Sequence, residues 1–327
     1  MTQAFFLESN GLDELSFLYL ADIIRGGEQV RYHAPQKAPF LTHIPLAAFD
    51  ASGAGFAMRA VWYRRQAFKN VAEQAGDAIA LMGFTAAALV PNVWLTEKTK
   101  TYITRIPNTL PAGVQHAFVK RSASLHLVVP SQTIAKRLTA WGVEPSRIDV
   151  RRPDIASTIE RTNTAAKPFT TPGFLIAVVA PLEQNQGLET VIQAIQQANE
   201  IIPDLNVFLI GDGPDKRRYQ WLIDQTHLKQ RVHIAANAAD YQRFLHHVDI
   251  CLAPAVIDEG CDPIVLQARS RGVAVVATDI ESHREFIENG KTGLLYQVGN
   301  SHTLSQHLIN LYTHRDWLNH YKKTPLI

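Results

Sequence analysis

The sequence predicts an α/β protein built from Rossmann-like parallel sheets, and three observations carry that expectation. Between Phe174 and Tyr312, β-rich runs alternate six times with helical patterns. These runs are apolar throughout rather than at every second residue, as strands are when helices cover both faces of a parallel sheet. The first half repeats the same logic more faintly.

Taken in order, Phe174–Ala180 leads into a helix over Gly187–Glu200, Asn206–Ile210 into Lys216–Thr226, and Val232–Ala235 into Tyr241–His247. Asp249–Ala253 then leads into Ile264–Arg271, Val273–Ala277 into Ser282–Glu288, and Leu294–Val298 into Thr303–Tyr312. In the first half, Ala4–Leu7 and Val30–His33 read as strands around a helix over Leu15–Ile24, which Gly26 and Gly27 stop. Leu125–Val129 is a further strand, Ser131 caps a helix that runs to Trp141 and ends at Gly142, and Ile148–Val150 is a last strand before Pro153. The Thr-, Ala- and Pro-rich stretch from Ile155 to Pro172 reads as a linker. The expected organisation is an N-terminal domain over 1–155, a linker over 156–172 and a C-terminal domain over 173–327, whose last helix could pack back on the first domain. Two such domains joined by one linker imply a cleft.

Composition narrows the function classes. With 327 residues, 46% hydrophobic and 19% charged, the chain has material for one or two packed cores. Cys251 and Cys261 are too few for a disulfide framework and form no zinc-binding pattern, which suits a reducing cytoplasm. No secretory leader is expected, and the most apolar stretch, Ala78 to Val90, is shorter than the roughly 20 residues a spanning helix needs. Residues 1–155 hold 17 Lys and Arg against 12 Asp and Glu, whereas 156–327 hold 15 against 18. That mild basicity favours an anionic partner but is small for a nucleic-acid binder, so no nucleic acid is expected.

Ligands of open parallel sheets sit beyond the carboxyl ends of the strands, where helix N-termini and backbone N–H groups point outward. Four loops of the second half occupy that edge. The first is Ala180 to Gly187, and the second is Gly211-Asp212-Gly213-Pro214, whose two glycines allow a close backbone approach to a ligand or simply a tight β–α connection. The third, Ala235 to Asn237, is uninformative by itself. The fourth, Asp258 to Pro263, crowds carboxylates at a helix mouth beside the helix bearing Gln267, and they need solvent or a hydroxyl-rich ligand. Asp262 before Pro263 is equally an ordinary helix cap.

At these residues the sequence resembles family 4 of the retaining glycosyltransferases (glycosyl transferases group 1), whose GT-B fold pairs two facing Rossmann-like domains around an interdomain cleft. The resemblance rests on Gly211 to Pro214, Arg231 to Ile234, Asp249 to Pro254, Glu259 to Cys261, Gly272 to Asp279, Glu285 and Gly290 to Leu295. The first half matches through Ser131, Gly142-Val143, Ile148 and Pro153 to Ile155. The resemblance implies transfer of a sugar from a nucleotide diphosphate sugar to a glycan, lipid-linked or protein acceptor, with no metal or further cofactor. It makes Glu259 the catalytic residue that touches the transferred sugar. Gln267 then stands where a second glutamate holds the ribose, and its neutral amide offers a bond roughly half as strong. The N-terminus of the helix at Asp262 and Ile264 would take the diphosphate. Gly211, Gly213, Asn237, Gly260, Cys261 and Gln186 would line the donor, with Ser9, Asn10 and Gly11 standing for the glycine-rich loop of the first domain.

Two departures weigh against catalysis. The family's arginine and lysine of the first loop are Pro181 and Gln186 here, and each lost donor to a leaving group costs about 3 kcal/mol of barrier. Lys216, Arg217, Arg218, Arg269 and Arg271 are cations nearby in sequence. The family's histidine on a middle strand of the first domain has no counterpart in Lys100 to Ile106, and His33, His43 and His116 are candidates by residue type alone. The basic, aromatic segment 58–71 reads either as a peripheral contact with the inner face of the membrane or as a half-buried helix. The rival to the transferase is a catalytically inactive GT-B protein that acts as a binding or partner subunit, with a nucleotide-sugar epimerase a distant third.

Overall fold

The structure, a computed structural model, describes residues 2–6, 19, 23, 30–33, 78–82, 99–106, 112–153, 155, 173–235 and 245–324. Two compact units emerge: Met1–Asp154 together with Glu259–Cys261, and Ile155–Asp258 together with Asp262–Ile327.

The second unit follows the sequence pattern closely. Its strands are β7 (Phe174–Val179), β8 (Leu205–Ile210), β9 (Val232–Ala235), β10 (Ile250–Ala253), β11 (Ala274–Thr278) and β12 (Leu294–Tyr296). All pair in parallel, in the order β12-β11-β10-β7-β8-β9. Renumbered from one, that is the Rossmann order, and the chain reverses direction across the sheet between β7 and β10. β8, β10 and β11 are buried at every residue, which explains why their sequences never alternate. The helices are α3 (Leu188–Asn199), α4 (Lys216–Gln225), α5 (Pro263–Ser270), α6 (Glu281–Arg284), α7 (Ser301–Thr313) and α8 (Arg315–Lys323). For these labels, the first unit contributes α1 (Ala112–Ser122) and α2 (Gln132–Trp141). On α3, Leu188, Val191, Ile192, Ala194, Ile195 and Ala198 recur at helical spacing and bury one face against Ile176, Val178 and Val207 in the common core. The helix expected over Tyr241–His247 falls mostly outside the described residues.

Leu318 and Tyr321 of α8 are buried in the core of the second unit. Tyr321 donates a hydrogen bond to the carbonyl of Gly290, and the Lys322 ammonium lies 2.8 Å from the Asp249 carboxylate. Asp249 in turn accepts from the N–H of Leu175 at 3.0 Å, so its charge is doubly held.

The first unit also forms a six-stranded parallel sheet, in the order β2-β1-β3-β4-β5-β6. Its strands are β1 (Thr2–Phe6), β2 (Val30–His33), β3 (Ala78–Met82), β4 (Lys100–Tyr102), β5 (His126–Val129) and β6 (Ile148–Val150). β1 begins two residues before the expected Ala4. β3 lies inside the apolar stretch weighed above only as a membrane span, and α1 was not anticipated because its apolar face is weak. Helix α2 follows the reading: Ser131 caps it and Gly142 ends it at φ 105.

Candidate active site

The reversal of strand order between β7 and β10 places two loops side by side at the carboxyl edge of the second sheet, the position where such sheets hold ligands. These are the Ala180–Gly187 and Pro254–Asp262 segments. They pack so closely that a Cβ on Gly187 would lie 2.1 Å from the Pro254 carbonyl oxygen. Gly187 also has φ 75, so the helix start at α3 requires glycine on both counts.

The same accounting resolves the Gly211-Asp212-Gly213-Pro214 turn. A Cβ on Gly211 would sit 2.0 Å from the Ala180 carbonyl oxygen, and one on Gly213 would sit 2.5 Å from that of Leu182. Backbone hydrogen bonds run from Leu182 N–H to the Asp212 carbonyl and from Asp215 N–H to the Leu182 carbonyl, both at 3.0 Å. The space these glycines vacate is therefore filled by the neighbouring loop. Tyr219 of α4 fastens that loop from below, its hydroxyl donating to the Glu183 carbonyl at 2.8 Å and lying 3.2 Å from the Glu189 carboxylate. Burial first, and the Glu189 charge second, push its hydroxyl up to about 12. Arg218 pairs with the same Glu189 at 2.8 Å, while Lys216 lies 3.8 Å from Asp212. Pro181 is exposed and Gln186 half-buried, so the loop offers no side-chain cation of its own.

At α5 the capping reading prevails. Asp262 Oδ1 accepts from the N–H of Ile264 at 3.0 Å, and Pro263 occupies the first turn. The N-terminal donor assigned to a diphosphate is thus already held by a carboxylate of the chain itself. Behind it stands His283, fully buried, with both ring nitrogens facing oxygens: Nε2 is 3.1 Å from Asp262 Oδ2 and Nδ1 is 2.8 Å from the Thr278 carbonyl. The Thr278 hydroxyl donates to the Ala255 carbonyl at 2.6 Å, and Asp258 accepts from the N–H of Ser282 at 3.1 Å. The loop after β10 is therefore tied down from β11 and α6.

Gln267, read as the ribose partner, is 0% exposed, and its amide oxygen faces an Arg271 Nη at 3.4 Å. Its amide is not presented at the surface, because every residue of α5 from Ile264 to Arg269 is buried. Cys261 is buried as well, and Arg269 and Arg271 direct guanidinium groups at the Phe286 and Gln267 carbonyls.

Glu259 is different. With Gly260 and Cys261 it belongs to the first unit, where the Ile106 N–H donates to the Glu259 carbonyl at 2.9 Å and the Ser131 hydroxyl donates to the Gly260 carbonyl at 2.7 Å. Ser131 simultaneously caps α2 by accepting from the Ile134 N–H at 3.1 Å. Gly260 has φ 97, and a Cβ there would meet the Ile134 side chain at 2.5 Å. This short strap leaves the Glu259 carboxylate 47% exposed, 3.9 Å from the Arg105 guanidinium.

Ser9, Asn10, Gly11, Asn237, His43 and the 58–71 segment lie outside the described residues, and His116 is exposed on α1. Sequence reasoning missed His283, Thr278 and Arg105. Arg105 was legible in principle, because it follows β4, where the family's histidine was sought. Among the described residues no group of three or more His, Cys, Asp or Glu side chains is gathered as a metal site, and no helix is long and apolar enough to cross a membrane.

Comparison with known proteins agrees with this architecture. Residues 173–314 match the family described as Glycosyl transferases group 1. EpsD of Bacillus subtilis, provisionally named a glycosyltransferase, is 27% identical over 144 residues, 44% of this chain and 38% of its own. WcaL of Salmonella typhimurium, provisionally named a colanic acid biosynthesis glycosyltransferase, is 27% identical over 192 residues, 56% of this chain and 46% of its own. The chain thus spans less than half the length of these two relatives. Anabaena Alr3699/HepE, solved in complex with UDP-glucose, superposes with a TM-score of 0.76 at 15% identity, covering 98% of this chain and 92% of that one. WaaG, a glycosyltransferase involved in lipopolysaccharide biosynthesis, gives 0.72 at 14% identity, covering 99% and 93%. The fold is α/β of the GT-B class, and the similarity to group 1 glycosyl transferases lies in residues 173–314.

Proposed function

We propose that the protein is a glycosyltransferase that moves a sugar from a nucleotide diphosphate sugar to a glycan, lipid-linked or protein acceptor with retention of configuration. The observation that carries this reading is Glu259: an exposed carboxylate on a strap fixed by two backbone-directed hydrogen bonds. A carboxylate carried on a fixed backbone and open to solvent is suited to orient a sugar hydroxyl. The group 1 match over 173–314 and the UDP-glucose complex of HepE support a uracil nucleotide sugar as the first donor to test. In the transfer, the bond from the anomeric carbon to the diphosphate oxygen breaks as the acceptor hydroxyl oxygen bonds to that carbon from the same face, and the hydroxyl proton passes to the departing diphosphate, on which negative charge gathers. With Pro181 and Gln186 in the first loop, Lys216 and Arg217 at the start of α4 are the cations nearest in sequence to the Gly211 turn. A cytoplasmic setting, with contact to the inner face of the membrane through 58–71, completes the proposal.

A second reading is favoured by a specific observation. Because Asp262 caps α5 and places a carboxylate where a diphosphate would bind, an inactive GT-B subunit that binds a glycan or partner also accounts for the geometry. Thermal shift with UDP, GDP, ADP and their sugars separates the two, since a ligand that binds only the native state raises the melting temperature. A rise is expected with at least one nucleotide sugar, and silence from all of them establishes the subunit reading. Where binding occurs, Glu259→Ala is expected to cut transfer by at least about a hundredfold, some 2.7 kcal/mol, while nucleotide affinity stays within a few-fold. Undiminished transfer removes Glu259 from the reaction.

A further inference from the structure

The carboxyl edge of the first sheet is lined with arginines. Arg105 follows β4, Arg137 lies midway along α2, the helix that follows β5, and Arg151 and Arg152 follow β6, the three strands being adjacent in the parallel sheet. The backbone sets this alignment: Ile103 N–H bonds to the Val128 carbonyl and Arg151 N–H to that of Val129, so the chain keeps register past each strand end. Two of these arginines converge on the Glu259–Gly260 strap. Arg105 pairs with the Glu259 carboxylate at 3.9 Å, and an Arg137 Nη lies 3.7 Å from where a Cβ would project from Gly260. Arg151 and Arg152, after β6, are exposed.

We propose that this edge, centred on Arg105 and Arg137, binds an oxyanion carried by a saccharide, a carboxylate or a phosphate. The guanidinium fork matches either oxyanion with two parallel hydrogen bonds, and the site lies where open parallel sheets take ligands. The charge excess of residues 1–155 then has a location and a use. That this saccharide is the acceptor rests on the transferase reading, whereas its binding does not. Gly260 is required for the arrangement: any side chain there would push Ile134 and enter the space beside Arg137.

Calorimetric titration of the full chain, without nucleotide, tests the site with three probes: a glucuronate-containing disaccharide, its neutral methyl ester, and a disaccharide 1-phosphate. At least one charged probe is expected to bind about tenfold tighter than the ester, roughly 1.4 kcal/mol, and which one does so identifies the oxyanion. Arg105→Gln with Arg137→Gln should bring that affinity down to the ester's level, and Arg105→Lys should retain part of it. Raising the salt concentration should weaken the wild-type protein's charged complex alone. Equal binding of all three probes, or preference for the ester, overturns the proposal even where the double variant fails to fold. A folded double variant that keeps its preference overturns it too. Failure of the donor reading appears separately, as silence toward nucleotide sugars in thermal shift.

Discussion

Ser131 and Asp262 perform the same local task in the two sheets and leave opposite electrostatic results. Each caps the helix that follows a parallel strand and satisfies an N-terminal N–H group, at Ile134 and at Ile264. Ser131 does so with a neutral hydroxyl whose hydrogen goes on to the Gly260 carbonyl. Asp262 does so with a carboxylate that His283 braces from a fully buried position. A neutral cap leaves the positive end of the helix dipole uncompensated, whereas a charged cap compensates it from within. The helix on which a diphosphate was expected to rest is therefore the one that already has its anion, and the first unit's edge has gathered the arginines.

The largest effect is expected at Gly211. If its missing side chain serves a ligand, Gly211→Ala folds normally and loses nucleotide affinity. If it serves the loop packing described above, the Cβ drives into the Ala180 carbonyl at 2.0 Å and neither backbone can move without breaking Leu182–Asp212 pairing. We expect the second outcome, a loss of about 3 kcal/mol or more, read as a lower urea midpoint at unchanged slope. A variant as stable as the parent would return the turn to the ligand.

Asp262→Asn sharpens the contrast between the two caps. Asparagine caps as well as aspartate, its amide can donate to His283 Nε2, and the loss in stability should stay near 1 kcal/mol. Removing the charge should tighten binding of a nucleoside diphosphate by a few-fold to about tenfold, measured by calorimetry, because like charges no longer meet at the helix mouth. Weaker binding would mean that the carboxylate contacts a sugar or ribose hydroxyl rather than opposing the phosphates.

The second unit was legible because its strands are buried on both faces: Phe174–Val179 and Ala274–Thr278 can be little else than central parallel strands. The first unit was less so because β4 is three residues long and α1 lacks a clear apolar stripe, so neither has a period to read. At the site, Asp262 before Pro263 was legible as a helix cap, whereas the burial of Gln267 was not, since nothing in Pro263–Ser270 by itself tells that Ile264 to Arg269 are all enclosed. The glycines at 211 and 213 were visible, yet what approaches them was not. A glycine reports that something comes close, and only the structure reveals that it is the Ala180 and Leu182 carbonyls. His283 had no local signal at all, because its partners Thr278 and Asp262 come from different elements.

The smallest effect concerns the clamp beneath the first loop. Tyr219→Phe removes hydrogen bonds to Glu183 and Glu189 and should cost about 1 kcal/mol at neutral pH, with nucleotide affinity changed little if the loop keeps its backbone contacts to the Gly211 turn. The hydroxyl also has a pH signature. Its folded value, pushed up to about 12 from the usual 10, means that the native state holds this proton more tightly than the unfolded chain. Its contribution is therefore complete below about pH 10 and disappears as the pH climbs toward 12. Denaturation curves across that window should show the parent losing its advantage over Tyr219→Phe, the two converging at the alkaline end. A gap that stays constant would place the stabilisation in packing of the ring and leave the hydroxyl without a part in holding the loop.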